Sequence, residues 1–385
     1  MRVIEEVMKL INEFMRRVEK HRDVLLSEST TPFDNAIASL NTWLMSMEGK
    51  VKETSDEGII KLRRAMIEVG RKMLTLAKQA REKWLAVYRK ELEELIEGLR
   101  KREVKVIING EPFNNDKSFM AHLNTEHITI EISRMARNNS TLIVMRLTGL
   151  DGVDVVAPKL LDNDELKAMQ YGLLLTDGSI DGKGYPEMDT TQLWQVITFT
   201  LVFPGKVSMG IHGININDGY VSVIWCLWAI DHKDEFRNKI DVAEKASKLN
   251  DKEFLLFTLF LILGDGNVDL ERKMIGLTMG KLKRELWGGG VIERLRSLGF
   301  KENNNKYLVT YTVKSSKAID LARKMLNGSI VKAFIEDLSK LSNAEKLKEL
   351  IVLPNMRVKP RGRSSIEVID GIKMNVHLTT MVTYS

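Results

Sequence analysis

Two stretches of nearly uninterrupted hydrocarbon, each ending in aspartate and glycine, constrain this chain more than any other feature. Tyr171-Gly172-Leu173-Leu174-Leu175 leads up to Asp177-Gly178, and Leu259-Phe260-Leu261-Ile262-Leu263 leads up to Asp265-Gly266, 88 residues after the first pair. Both read as helices, over residues 166–176 and 254–264. Helices apolar on almost every side must be buried all round, most simply against each other across a pseudo-twofold axis. Their C-terminal ends then lie close together. A short acid before glycine also suits a plain helix stop, because glycine takes the left-handed terminating conformation without strain. The similar order of elements after the two stops argues for a repeat.

After Asp265 the pattern predicts short strands at 268–272 and 273–279 and a helix at 281–298. A hairpin through Asn303-Asn304-Asn305 to Val313 and a helix at 316–326 complete an αββαββα unit. After Asp177 come a short polar strand region, the segment 192–202, a hairpin of 206–216 with 219–230, and a helix to about 249. Residues 192–202 are read as the middle helix, although Val196, Ile197, Thr198 and Thr200 suit a strand as well. Gln192 and Gln195 are expected at the surface, Tyr220, Trp225 and Trp228 in the core, and Gly288-Gly289-Gly290 in a turn.

The remainder divides by period and charge. Residues 1–104 hold one proline and repeat apolar residues at three and four, which predicts a helical hairpin or coiled coil used for self-association or as a spacer. Residues 105–165 alternate as short strands and read as a small β-rich connector. The two repeats occupy 166–250 and 251–328, and 329–385 is a basic extension. The expected fold class is therefore α+β: a pseudo-symmetric pair of αββαββα repeats with antiparallel sheets, preceded by a long helical region and a small β segment. A single cysteine, Cys226, excludes an internal disulfide and a four-thiolate metal site. The longest apolar runs are about half of the roughly 20 residues a membrane helix needs, so no membrane partner is expected. The acidic start, Glu5-Glu6, is unlike a secretory leader, and a cytoplasmic location is the expectation.

Two carboxylates meeting at buried helix ends repel each other unless a cation lies between them, and magnesium supplies oxygen-seeking charge. Asp177 and Asp265 are accordingly the expected metal ligands, in a centre suited to phosphodiester cleavage by metal-activated water. At these residues the sequence resembles the LAGLIDADG homing endonucleases. Gly172, Asp177 and Gly178 match the third, eighth and ninth positions of the family's nine-residue motif in the first copy, and Asp265 and Gly266 match the last two in the second. Phe260 stands where the family has a small residue, which counts against close helix pairing. The resemblance implies an antiparallel saddle gripping duplex DNA and magnesium-dependent cutting. It also implies catalytic lysines near the end of each repeat's last strand: Lys314 or Lys317 in the second copy and Lys233 in the first, with His232 as a substitute. The long helical region with a degenerate motif looks, more faintly, like a paralogous-repeat family of hyperthermophilic archaea.

Charge qualifies the DNA expectation. The first repeat is slightly acidic, while the second carries 14 bases against 9 acids. Lys273 and Lys306, read on strands, and Lys281, at a helix start, are the expected phosphate contacts. Arg357, Lys359, Arg361 and Arg363 alternate along the tail and form a further basic run. Three readings stay open: a divalent-metal-dependent DNA endonuclease, a catalytically inactive DNA-binding or regulatory protein on the same fold, and a helical assembly protein.

Overall fold

Amphipathic periodicity in the first hundred residues becomes a layer of helices: α1 (Arg2–Lys20), α2 (Arg22–Leu25), α3 (Asp34–Glu53), α4 (Glu57–Lys83) and α5 (Arg89–Lys101). They are seen in a computed structural model that describes residues 2–111, 119–135, 140–305, 307–357, 365–369 and 372–376. The Asp56 side chain starts α4 by accepting from Ile59 N, and a π-turn at Trp84–Tyr88 joins α4 to α5. The resulting rod over residues 57–101 is about 70 Å long at 1.5 Å per residue. It ends where Arg102 takes a left-handed conformation.

These helices lie against the rest of the chain. Arg17 of α1 donates to the carbonyls of Thr141 and Ile216 at 2.9 Å, and Trp43 Nε1 of α3 donates to Asp337 O at 2.9 Å. The Asp337 carboxylate is fully buried, held by Arg63 at 2.8 Å and by Lys50. A continuous core runs from Val7 to Leu353. Much of the apolar surface of these helices, Phe14, Phe33 and Trp43 among it, packs within the chain, which gives the expected coiled coil for self-association no support.

The middle of the chain forms β1 (Ile107–Gly110), β2 (Phe119–Asn124), β3 (Ile128–Arg134), β4 (Thr141–Leu147) and β5 (Val153–Ala157). The first repeat follows as α6 (Asn163–Leu175), β6 (Ser179–Ile180), β7 (Pro186–Thr190), α7 (Leu193–Val202), β8 (Gly205–Ile216), β9 (Val221–Ala229) and α8 (Lys239–Ser247). The second is α9 (Asp251–Asp265), β10 (Gly266–Asp269), β11 (Met274–Gly280), α10 (Lys281–Ser297), β12 (Lys301–Asn304), β13 (Leu308–Lys314) and α11 (Ser316–Met325). Then come α12 (Ser329–Leu338), α13 (Glu345–Val352), β14 (Ser365–Ile369) and β15 (Ile372–Val376).

Both repeats have the element order αββαββα and the same strand order. In the first the sheet runs β6-β7-β9-β8, and in the second β10-β11-β13-β12. The fold is thus α+β, a pseudo-symmetric pair of repeats with antiparallel sheets. The segment before the repeats extends the first sheet: β4 pairs with β8 through Val144↔Asn215, Met145↔Ile214 and Arg146↔Gly213, and β5 pairs with β8 as well. Nine strands result. Residues 193–202 are helical because α7 is buried on every side, which overrides the β-branched preference of Val196 and Ile197, and Gln192 is the extended residue before it. Gly288, with a φ of 67°, breaks α10 where a turn is expected from the triple glycine. Among the described residues no helix is long and apolar enough to cross a membrane.

Candidate functional site

The site is built on the pairing of α6 with α9. Each helix starts on a cap, Asp162 accepting from Glu165 N and Asn250 forming a capping box with Glu253. Their approach is close in spite of Phe260. A Cβ at Gly172 would lie 2.5 Å from Phe260 Cβ and 2.8 Å from Phe257 O, so only hydrogen fits there. Gly264 leaves the same kind of space for Thr176. The expected obstacle to pairing is corrected: bulk on one helix faces glycine on the other at both positions, and the contact closes.

This pairing brings the C-terminal ends of α6 and α9, and with them Asp177 and Asp265, to one place. Last-turn carbonyls and two carboxylates concentrate negative charge there. Three lysines from three other helices answer it. Lys283, the third residue of α10, forms an ion pair with Asp265 and donates to Thr176 O at 3.3 Å. Lys239, the first residue of α8, donates to the same carbonyl at 3.3 Å. Lys346 of α13 donates to Leu263 O at 3.0 Å and Gly264 O at 2.6 Å. On the other side Gln195, the third residue of α7, donates from Nε2 to Asp177 and accepts from the Thr190 hydroxyl.

The electrostatics arise from crowding. Surrounding protein, and then the neighbouring Asp265 carboxylate, push the Asp177 carboxyl above the usual aspartate range, although its tip stays open to solvent. Burial holds the Lys346 ammonium below the usual lysine range, against the pull of both aspartates. Burial, and then Lys283, do the same to Lys239.

Asp177, Gln195 and Lys346 form the end of a cleft of about 700 Å³ whose side is the open face of the large sheet. Most of the charges on that face are paired with one another. Arg146 pairs with Glu131 at 2.7 Å and touches the His212 ring, and His212 Nδ1 lies 3.4 Å from Asp189. Lys206 pairs with Asp154 at 2.8 Å.

The open face of the four-stranded sheet differs. Val268, Ile275, Leu277, Met279, Val309, Tyr311 and Val313 point to the core. The alternate residues share the other face by register: Asn267 beside Gly276, Gly276 beside Thr312, Thr312 beside Lys301, and Thr278 beside Thr310 and then Asn303. Thr278 and Thr310 touch through their hydroxyls at 3.3 Å. Lys314 extends this face, and Asp269, its one acid among the described residues, lies 3.6 Å from Arg272.

The residues expected at a site are dispersed over the molecule. Lys314 ends β13 and is exposed, and Lys317 lies in the first turn of α11. Lys233 comes after β9 and lies 5.3 Å from the centre of the Tyr185 ring. His232 is buried between Pro204 O and Glu235. Lys281 opens α10. Lys273 is in the β10–β11 turn and not on a strand, because the chain reverses there with a φ of 47°. Arg357 is exposed; Lys306, Lys359, Arg361 and Arg363 lie outside the described residues. Gln195, expected at the surface, is buried beneath Asp177. Lys239, Lys283 and Lys346 were not foreseen. A signal existed for Lys283, which follows Asp265 at the same interval, 18 residues, at which Gln195 follows Asp177.

No family model matches this chain, and no curated protein matches it. Among solved structures it is similar to full-length DUF199/WhiA from Thermatoga maritima, with 10% identity and a TM-score of 0.26 over 52% of this chain and 63% of that one. The chain thus spans less than two thirds of that protein's length. Membership of the LAGLIDADG homing endonucleases, and the fainter likeness to an archaeal repeat family, are corrected by these comparisons. The physical reason is that an apolar helix ending in Asp-Gly is a general packing solution, and Phe260 stands where the motif has a small residue.

Proposed function

We propose that this chain binds duplex DNA across the open face of its four-stranded sheet, and that it does so without metal-dependent cleavage. The observation that carries the reading is the make-up of that face. Thr278, Thr310, Thr312, Asn267 and Asn303 form a field of hydroxyls and amides, with Lys301 and Lys314 at its margin and Lys273 and Lys281 at the strand ends. Hydroxyls and amides match base edges in a groove, and lysines match the flanking phosphates. The large sheet, with its internally paired charges, contributes shape more than attraction.

The acid pair supports the second half of the proposal. A magnesium ion asks for a near-octahedral set of oxygens. Here Asp265 is already ion-paired with Lys283, Asp177 is held by Gln195, and Lys346 donates to two carbonyls beside them. Ammonium groups supply the positive charge that the acids require, so the donor set does not fit the metal. The aspartates on this reading fasten the two repeats together.

Binding of a mixed-sequence duplex, followed by fluorescence anisotropy between about 50 and 200 mM salt, tests the first half. The expected log–log slope is about −4 for four phosphate contacts, and Lys301→Ala and Lys314→Ala each make it shallower by about 1. Binding that ignores salt, or slopes unmoved by both substitutions, overturns it. Incubation of supercoiled plasmid with magnesium tests the second half: the plasmid stays intact, and nicking abolished by Asp265→Asn overturns the absence of cleavage.

A further inference from the structure

Of the three lysines around the acid pair, Lys346 alone lines the main cleft of about 700 Å³. Its side chain is partly exposed, and its Nζ donates at 2.6 Å to the carbonyl of Gly264, a residue that lines the same cleft. The amine end, and not only the stem, therefore lies at the cleft wall. Asp177 and Gln195 share that wall, while Leu142, Val144 and Ile224 give the cleft an apolar side.

The bonding of Nζ is that of an amine. Its two hydrogen bonds go to Leu263 O and Gly264 O, and among the described residues no carboxylate forms an ion pair with it. A neutral amine has two hydrogens and one lone pair, and the two carbonyls account for both hydrogens. Both acceptors belong to the last turn of α9, so the lone pair is left free of that helix. Burial penalises the charges of Lys346 and of Asp177 alike, and transfer of one proton from the first to the second removes both at once. Asp265 keeps its own charge for Lys283. A desolvated amine beside a proton-bearing carboxyl is the pairing that carbonyl chemistry uses.

We propose that Lys346 forms an imine with a carbonyl compound bound in this cleft, with Asp177 as the proton donor. Nζ bonds to the carbonyl carbon and passes one proton to the carbonyl oxygen. The hydroxyl so formed takes the Asp177 proton and leaves as water, so the products are a protonated imine, water and the Asp177 carboxylate. The carbonyl belongs to a free small molecule, or it is the open-chain aldehyde of a deoxyribose that has lost its base in a bound duplex. The first source needs no contact with the four-stranded sheet, and only the second rests on the DNA reading.

Borohydride reduction fixes an imine as a secondary amine, and mass spectrometry of the full chain after digestion locates it. The probes are dihydroxyacetone and a duplex with one base-free deoxyribose. The expected result, with one probe or both, is a saturable adduct at Lys346 formed at least about tenfold faster than at the exposed Lys252. The probe that gives it identifies the source of the carbonyl. Asp177→Asn slows the adduct about a hundredfold. Lys346→Arg keeps a cation at the two carbonyls, cannot form an imine and removes the adduct. Labelling of Lys346 no faster than of Lys252 with both probes overturns the proposal in the parent protein itself, without recourse to a variant. A parent-like rate in Asp177→Asn overturns the assignment of the proton donor. Lys314→Ala, which impairs duplex binding on the reading above, leaves the dihydroxyacetone adduct unchanged, so failure of the DNA reading removes the duplex arm alone.

Discussion

Gln195 and Lys283 occupy equivalent places in the two repeats, the third residue of α7 and of α10, and each reaches back 18 residues to contact the aspartate that ends its own first helix. The backbone symmetry is therefore kept while the chemistry is broken. One aspartate receives an amide, which leaves its charge uncompensated by that partner. The other receives an ammonium, which cancels it. Burial, and then the Asp265 carboxylate, push Asp177 toward its neutral form, and the Gln195 amide opposes this only in part.

Lys283→Gln makes the two repeats alike and leaves Asp265 without its ion pair. Breaking a partly buried pair from one side costs more than the pair itself contributes, because the remaining charge stays in place. The expected loss is about 1–2 kcal/mol, the partly open geometry keeping it below the fully buried case. Combining Lys283→Gln with Asp265→Asn recovers most of the loss, read from urea unfolding of both variants and of Asp265→Asn alone. A double variant no better than the single one places the role of Lys283 in its bond to the Thr176 carbonyl instead.

Gly172→Ala tests the helix crossing. The new methyl meets Phe260 Cβ and the Phe257 carbonyl, neither of which is the far end of a flexible side chain, so the helices must separate. A loss of about 1–3 kcal/mol is expected. Phe260→Ala does not rescue it, because truncating the ring leaves the Cβ that makes the contact. Rescue by Phe260→Ala, measured as a restored melting temperature, would show that ring packing sets the spacing.

Period and punctuation made most of the fold legible. The two Asp-Gly stops, the alternation of β11 and β13 and the three-four pattern of α1 and α4 are local features, and each local preference agrees with the element formed. The site was legible at its acids and not at its cations. Gln195 and Lys283 carried a signal in their common spacing, visible only once both repeats are aligned by their helices. Lys346 had none, because it comes from a helix outside the repeats and reaches Gly264 only through the tertiary fold. The packing of α1 on the sheet was hidden for the same reason: an amphipathic face states that it must be covered and not by what. Phe260 misled because its bulk was weighed without the glycine opposite.

Glu302 gives a stability dependence at the acid end of the pH range. Its carboxylate accepts from Asn304 at 2.9 Å, from Arg296 at 2.7 Å and from Tyr311 at 3.0 Å, which holds its pKa down to about 2. A carboxyl lowered on folding stabilises the native state above its ordinary range and loses that contribution as pH falls toward the lowered value. Glu302→Gln is therefore less stable than the parent by about 1 kcal/mol at neutral pH. The gap closes between about pH 5 and 2. Denaturant midpoints across that window check it, and a gap that persists at the acid end would assign the effect to shape alone.

Asp177 has the opposite sign. Its carboxyl is raised on folding, so the native state prefers the protonated form. The preference adds stability below the ordinary aspartate range and is lost as pH rises through the raised value. Asp177→Asn imitates the neutral form and still accepts from Gln195. The variant is expected to be more stable than the parent at neutral pH by less than about 1 kcal/mol, since the cleft admits water to the carboxylate. The two converge as pH falls below the ordinary range. Melting temperatures of both proteins from acid to neutral pH make the comparison. A variant less stable than the parent at neutral pH would mean that Lys283 and Lys346 compensate the Asp177 charge more fully than Asp265 opposes it, and that the inequality between the repeats has no energetic consequence.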